Sequence, residues 1–205
     1  MERKIILASS SPRRQELLQN LGLEFQIHPS GTDETVDDGL KPFEMVELLA
    51  ERKANDVARL YSGGLVIGSD TIVVVDEQVL GKPADQQQAF QMISSLKGRS
   101  HHVYSGLAII DAATGECKRG HVKTRVHMRD ISDQEIKDYI MTGEPMDKAG
   151  AYAIQGLGSI FITGIEGDYF SVVGLPVQLL ADYLEQFGIP ILKQYLIRHT
   201  KENRK

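Results

Sequence analysis

Leu7-Ala8-Ser9-Ser10-Ser11-Pro12-Arg13-Arg14-Gln15-Glu16-Leu17-Leu18 is the stretch on which the reading of this chain turns. The run Ile5-Ile6-Leu7-Ala8 before it reads as a short buried strand. The serines then make a turn. Ser11 suits an N-cap and Pro12 the first helical position, where no backbone N–H is needed. Leu17, Leu18 and Leu21 recur at helical spacing until Gly22 stops the helix. The helix therefore aims its free N–H groups at the end of the strand. Arg13 and Arg14 lie in its first turn, where cations oppose the helix dipole unless an anion arrives. Free amides, the Ser9 hydroxyl and two guanidinium forks together suit a phosphate. An arginine pair on a helix is ordinarily just solvated; the strand, serine turn and proline favour the anion.

Moving outward, residues 29–41 are polar and Gly-rich and read as a loop, made acidic by Asp33, Glu34, Asp37 and Asp38. Pro42 opens a long helix whose buried stripe is Phe43, Val46, Ala50, Ala54, Val57 and Tyr61, ended by Gly63-Gly64. Lys53 sits beside that stripe, so it either snorkels to solvent or reaches into a cleft. Leu65 to Val75 is the most apolar run and reads as a central strand buried on both faces. Asp70 interrupts it. A carboxylate in such a run is costly to bury and is normally paired, metal-bound or catalytic. Gly68 and Ser69 permit a bend that aims it into a cleft.

Asp76-Glu77-Gln78 turns into Val79-Leu80, a hairpin, and Gly81-Lys82-Pro83 presents Lys82 at a strand end. Ala84–Leu96 reads as an amphipathic helix, and residues 101–111 and 116–128 as an antiparallel, partly exposed pair. His101, His102, His121 and His127 lack metal-ligand spacing and read as surface strand residues. Ser132 to Glu135 is a capping box. Residues 143–156 pack glycines, opposed charges and an amide into a shaped loop, where Asp147 and Lys148 can fix each other or a ligand. Gln155 carries both a donor and an acceptor and so can read a base edge. Ile160–Ile165 reads as a strand, Pro176–Phe187 as a helix, and 190–205 as an amphipathic tail with a charged end.

The formal net charge of −5 over 205 residues argues against a general nucleic-acid binder, while a local basic cluster still serves phosphates. Cys117 is the only cysteine, so an internal disulfide and a Cys-based zinc site are excluded, in keeping with a reducing compartment. Glu2, Arg3 and Lys4 precede too few apolar residues for a signal peptide, and no run is of membrane-spanning length. The expectation is a cytoplasmic protein forming one domain over residues 1–205.

Together, Ala8-Ser9-Ser10-Ser11-Pro12-Arg13-Arg14, Glu34, Lys53, Gly68-Ser69-Asp70-Thr71, Gly81-Lys82-Pro83, the segment Glu144 to Gly156, Gly167-Asp168-Tyr169 and Val173-Gly174-Leu175-Pro176 resemble the Maf family of nucleoside triphosphate pyrophosphatases. The order and spacing match from Lys4 to about Gly188. The resemblance implies an elongated, two-lobed α/β fold like that of inosine triphosphate pyrophosphatases, with a twisted mixed sheet and a cleft between the lobes. It implies a homodimer, a divalent metal (Mg, Mn or Co), and cleavage of a nucleoside triphosphate to monophosphate and pyrophosphate. Arg13, Thr71 and Gln155 match the arm of the family that prefers dTTP and UTP. Ser69 stands where Ala is frequent. Ala153 stands where Gly is usual, which matters only if that position needs a positive φ.

The division of labour expected from this is as follows. Arg13, Arg14, Lys53 and Lys82 neutralise the triphosphate, aided by Ser9. Glu34 and Asp70 lie at the metal, and Asp70 accepts the proton of the attacking water. A monophosphate ester hydrolase is one rival. A nucleotide-sensing regulator of cell division with little turnover is the other.

Overall fold

The computed structural model describes residues 3–36 and 39–202, with side chains through Leu196. Asp37 and Asp38 of the acidic loop, Glu2, and the end of the tail lie outside the described residues. In chain order the elements are β1 (Ile5–Leu7), α1 (Pro12–Asn20), β2 (Gln26–Ile27), α2 (Pro42–Ala58), β3 (Leu65–Val75), β4 (Gln78–Leu80), α3 (Gln86–Leu96), β5 (Ser100–Asp111), β6 (Cys117–Met128), α4 (Asp133–Met141), β7 (Ile162–Glu166), α5 (Tyr169–Val173), α6 (Val177–Gln186) and α7 (Ile191–Glu202). Three 3₁₀ turns, Glu144–Asp147, Ala149–Ala151 and Gly156–Phe161, join α4 to β7. Among the described residues no helix is long and apolar enough to cross a membrane.

The expected α/β architecture with a central mixed sheet is present. Seven strands run in the order β2-β1-β3-β5-β6-β7, with β4 also paired to β3. β3 is the spine. One edge pairs antiparallel with β5 from Leu65↔Asp111 to Val74↔His102. The other edge is shared by two short strands. Parallel β1 covers Leu65–Ile67 and antiparallel β4 covers Val73–Val75. Among the described residues no strand pairs with that edge over residues 68–72. The bonds Leu65 N–H to Lys4 O and Ala8 N–H to Ile67 O fix the alternation, so the main-chain groups of Ser69 and Thr71 point into the gap.

α2 lies along one face of the spine, against Val66, Ala108 and Ile110 at one end and Ile72 and Val74 at the other. On the opposite face two separate cores flank the gap. One joins β1, α1 and α6 to Leu65, Ile67, Leu107 and Ile109. The other joins α3, α4 and the 3₁₀ turns to Val73, Val75 and Val103. α2 can approach the sheet closely because glycine stands beneath it. A Cβ at Gly68 would fall 2.2 Å from the Ala50 carbonyl oxygen, and one at Gly106 2.1 Å from that of Val46. Gly106→Ala is therefore expected to lower stability by about 3 kcal/mol, the upper end for overpacking, read as a lower denaturation midpoint with an unchanged slope.

Several expectations are refined or corrected here. The antiparallel pair β5–β6 is partly exposed as expected, but its exposure falls on β6 and the start of β5; Ser105 to Asp111 are buried on both faces because α2 and the second face's cores enclose them. Ile160 and Phe161 belong to the 3₁₀ turn, and the strand starts at Ile162, since Gly156 at φ +74° holds the chain in a turn. Ser11 occupies the N-cap position of α1 without a side-chain cap bond; its N–H instead donates to Ser9 Oγ at 3.2 Å. Ala153 needs no positive φ; Ala151 does, at 58°.

His101 is not a surface residue but is 1 % exposed. It shares the face of β5 carrying Val103 and Leu107, and its Nε2 lies 2.6 Å from the Tyr152 hydroxyl. Burial, the largest cause, lowers its pKa from 6.5 to about 4. The unfolded chain thus takes a proton before the folded one does. The contribution is complete above pH 6.5 and is lost as pH falls from 6.5 to 4, about 3 kcal/mol at full size. Urea midpoints at pH 7 and pH 4.5 check this: the fall is expected to be smaller in His101→Phe than in the parent.

Candidate active site

The gap in the β3 edge opens into a cleft of about 480 Å³, within the usual size of small-ligand sites. Ser9, Arg13, Arg14, Glu34, Lys53, Asp70, Thr71, Lys82 and Gln155 all line it. The sequence thus delivers these side chains from six separate segments to one hollow. β1 ends at the gap and releases the serine turn and α1. β4 ends there and releases Lys82. α2 supplies Lys53, the acidic loop Glu34, and the turn before Gly156 supplies Gln155.

Alternation along β3 divides the two sides of the site. Asp70 points to the α2 side and is 7 % exposed. Its Oδ1 accepts from Lys53 Nζ at 2.6 Å. The same ammonium meets Glu34 Oε1 at 2.7 Å, so Lys53 sits inside the cleft, bridging two carboxylates, rather than snorkelling. Among the described residues no protein group occupies Asp70 Oδ2. The hydrogen bond from Lys53 is the largest cause holding Glu34 below the usual carboxylate range, with Lys82 and Arg14 adding charge attraction. The Glu34 side chain is 55 % exposed, so solvent screens much of that attraction. Asp56 steadies the loop by accepting from Ser30 Oγ at 2.8 Å and Gly31 N–H at 3.0 Å.

Ser69 and Thr71 point to the other side. There Arg14 is the organising cation: its Nε donates to the Gly174 carbonyl at 2.8 Å and one terminal nitrogen to Ser9 Oγ at 3.2 Å. Burial lowers its pKa, offset in part by the Asp70 charge. Thr71 Oγ1 lies 2.7 Å from Ser105 Oγ, whose proton goes to the Ser171 carbonyl at 2.6 Å. The Thr71 proton is therefore committed to Ser105, leaving its oxygen to face Arg14 at 3.5 Å. Ser69 Oγ also donates to Gly174 O, at 3.0 Å. Ser105 and Gly174 are thus parts of the site that sequence reasoning missed. The one signal for Ser105 was a hydroxyl within an apolar strand.

Arg13 reaches across the mouth to Asp147, with NH1 3.6 Å from Oδ2, and Asp147 also holds Lys148 at 2.5 Å. Lys82 is exposed at the rim. The lining holds five cations against three carboxylates, so an acidic chain keeps a positive hollow suited to a polyanion. The arrangement offers fixed N–H and O–H donors for phosphate and, opposite them, one buried carboxylate with a free oxygen.

The chain is similar to known proteins over most of its length. The family model described as Maf-like protein matches residues 4–187. A dTTP/UTP pyrophosphatase of Desulforamulus reducens is 55 % identical over 190 residues, covering 93 % of this chain and 100 % of that protein. That of Pelotomaculum thermopropionicum is 53 % identical over the same shares, and that of Moorella thermoacetica 48 % over 92 % and 97 %. Among solved structures, a nucleoside-triphosphatase (dITP/XTP pyrophosphatase) of Mycobacterium abscessus is 17 % identical with a TM-score of 0.41, covering 62 % of this chain and 75 % of that one. A family match over nearly every element that builds the cleft, with relatives that align from end to end, establishes that this chain belongs to the Maf-like family.

Proposed function

We propose that this chain hydrolyses dTTP and UTP to the monophosphate and pyrophosphate. The observation that carries the reading is the position of Asp70: a buried carboxylate with one free oxygen, facing a cleft of excess positive charge. Relatives up to 55 % identical named for this activity support it. Arg14, Arg13, Lys82 and the Ser9 turn bind the β- and γ-phosphates, and Gln155 meets the pyrimidine edge. Lys53 holds Asp70 Oδ1, so Oδ2 takes the proton of a water molecule attacking the α-phosphorus. The new bond joins that oxygen to the α-phosphorus. The bond to the oxygen bridging the α- and β-phosphorus breaks, and pyrophosphate leaves with the electron pair, its charge held by the cations.

Among the described residues no three His, Cys, Asp or Glu side chains gather as a metal cluster. Glu34 and Asp70 nonetheless turn oxygens to the single Lys53 ammonium. That ammonium takes one oxygen of each, so the two hard carboxylates would hold a Mg²⁺-like cation through their outward oxygens, with water and phosphate supplying its remaining ligands. When bound, such a cation supplies charge neutralisation along the triphosphate. In this reading the protein is a cytoplasmic homodimer, each copy one domain of two lobes around one cleft. It acts on free nucleotides, clearing them from the pool, and engages neither nucleic-acid polymers nor membranes.

A panel of canonical and modified nucleoside triphosphates, scored for pyrophosphate release, tests the proposal. Pyrophosphate from dTTP and UTP ahead of purine nucleotides is expected. Orthophosphate release, or tight dTTP binding without turnover in Mg²⁺, Mn²⁺ or Co²⁺, would overturn it.

A further inference from the structure

Glu144 lies outside every role assigned above, yet its carboxylate is fully engaged. Oε1 accepts from the Tyr139 hydroxyl at 2.8 Å and from Gly158 N–H at 2.9 Å. Oε2 accepts from Leu157 N–H at 3.0 Å. A Cβ at Gly156 would fall 2.6 Å from that oxygen, so the backbone is pressed directly onto the acid. Three donors outweigh the cost of burial and hold the carboxyl below its ordinary pKa. The Tyr139 oxygen in turn accepts from Ala153 N–H at 3.3 Å. Lys148 Nζ donates to the Glu144 carbonyl at 2.6 Å, tying the turn to the cleft wall. The segment 153–158 is thus gripped at both ends, at Ala153 by Tyr139 and at Leu157 and Gly158 by Glu144. Between the grips stand Ile154 and Gln155, both lining the cleft.

We propose that Glu144 and Tyr139 are positioning residues for nucleobase selection, acting on the substrate only through the loop that carries Gln155. The proposal rests on the reading above that Gln155 meets the base. The clamp requires a carboxylate. A glutamine at 144 has one acceptor oxygen, and whichever way its amide turns, an NH₂ faces either the Leu157 or the Gly158 N–H. A donor set against a donor breaks one of the two bonds that hold the Leu157–Gly158 end of the loop and leaves an N–H unpaired there, loosening that end. The phosphate side, built on Arg14, Ser9 and Gly174, shares none of these bonds.

The test measures kcat/KM for dTTP and dGTP, and inhibition by inorganic tripolyphosphate, in the parent, Glu144→Gln, Tyr139→Phe and Gln155→Ala, with thermal melting to confirm folding. In Glu144→Gln the dTTP/dGTP ratio is expected to fall at least tenfold, chiefly through KM for dTTP. The tripolyphosphate Ki should stay within twofold. Tyr139→Phe keeps the ring stacked edge-on against Phe161 at 5.1 Å. It is expected to shift the ratio in the same direction, and it carries the test should Glu144→Gln not fold. A ratio within twofold of the parent in a folded clamp variant would overturn the proposal, as would a tripolyphosphate Ki that moves in step with KM. An unchanged ratio in Gln155→Ala sinks the base-reading role itself. A ratio lost in Gln155→Ala and kept in both clamp variants sinks only the clamp.

Discussion

Asp70→Asn is expected to lower kcat about a thousandfold, within the range that a general base contributes, with KM for the nucleotide changed only a fewfold. The substitution preserves shape. An asparagine can still place its carbonyl oxygen against Lys53 Nζ, replacing the 2.6 Å contact with a neutral one. What it loses is the second oxygen as proton acceptor, since an amide NH₂ cannot take the water's proton. The contacts of Arg14 with Ser9 and Gly174 lie on the opposite side of β3 and do not involve residue 70; a cation held by Glu34 and Asp70 would lose one ligand, so binding is expected to weaken a little while turnover collapses. Single-turnover kinetics with dTTP, beside isothermal binding of a non-hydrolysable analogue, separates the two. A folded Asp70→Asn protein within tenfold of parental kcat would remove Asp70 from the chemistry.

Lys53→Met carries the second large effect, on stability as well as rate. The Lys53 and Asp70 side chains are only 11 % and 10 % exposed. Removing one partner of such a pair leaves a buried charge uncompensated, at a cost of about 3 kcal/mol. Methionine fills nearly the same volume, so a cavity does not account for the loss. Adding Asp70→Asn removes the stranded charge, and the double variant is expected to recover most of the stability while remaining inactive. Urea denaturation of the parent, both single variants and the double variant closes the cycle. Additivity within about 0.5 kcal/mol would show that the two side chains do not depend on each other.

The sequence made some of this legible and hid the rest for identifiable reasons. Asp70 stood out because a charge within an eleven-residue strand of apolar residues needs a purpose. The Pro12 helix start and the Ser132 capping box were readable because each is a local device, and the box is present with both of its bonds. Lys53 was ambiguous: its place on the helix is the same whether it meets solvent or a carboxylate. The partner lies 17 residues on, and the contact exists because Gly68 and Gly106 let α2 lie low on the sheet. His101 was misread for a related reason. Its neighbour Tyr152 comes from a turn 51 positions away, and alternation in β5 says which residues share a face, not which face is covered. The bonds from Glu144 to Leu157 and Gly158 are equally non-local, so a motif containing all the right residues did not disclose the knot they tie.

The missing rungs along β3 have a consequence for how such a site tolerates change. Ser69 and Thr71 offer main-chain groups to the opening, and ordinary side-chain replacement cannot delete a main-chain amide; only proline does so. The depth of the opening is likewise set by where two short strands stop, at Leu7 and at Leu80. Lengthening either by a pair of residues would narrow the five-residue opening, and shortening either would widen it, at the cost of Leu7 or Leu80 from the core beside it. Ligand size is thereby coupled to strand length, so the scaffold can be retuned for bulkier or slimmer guests by trimming strand ends.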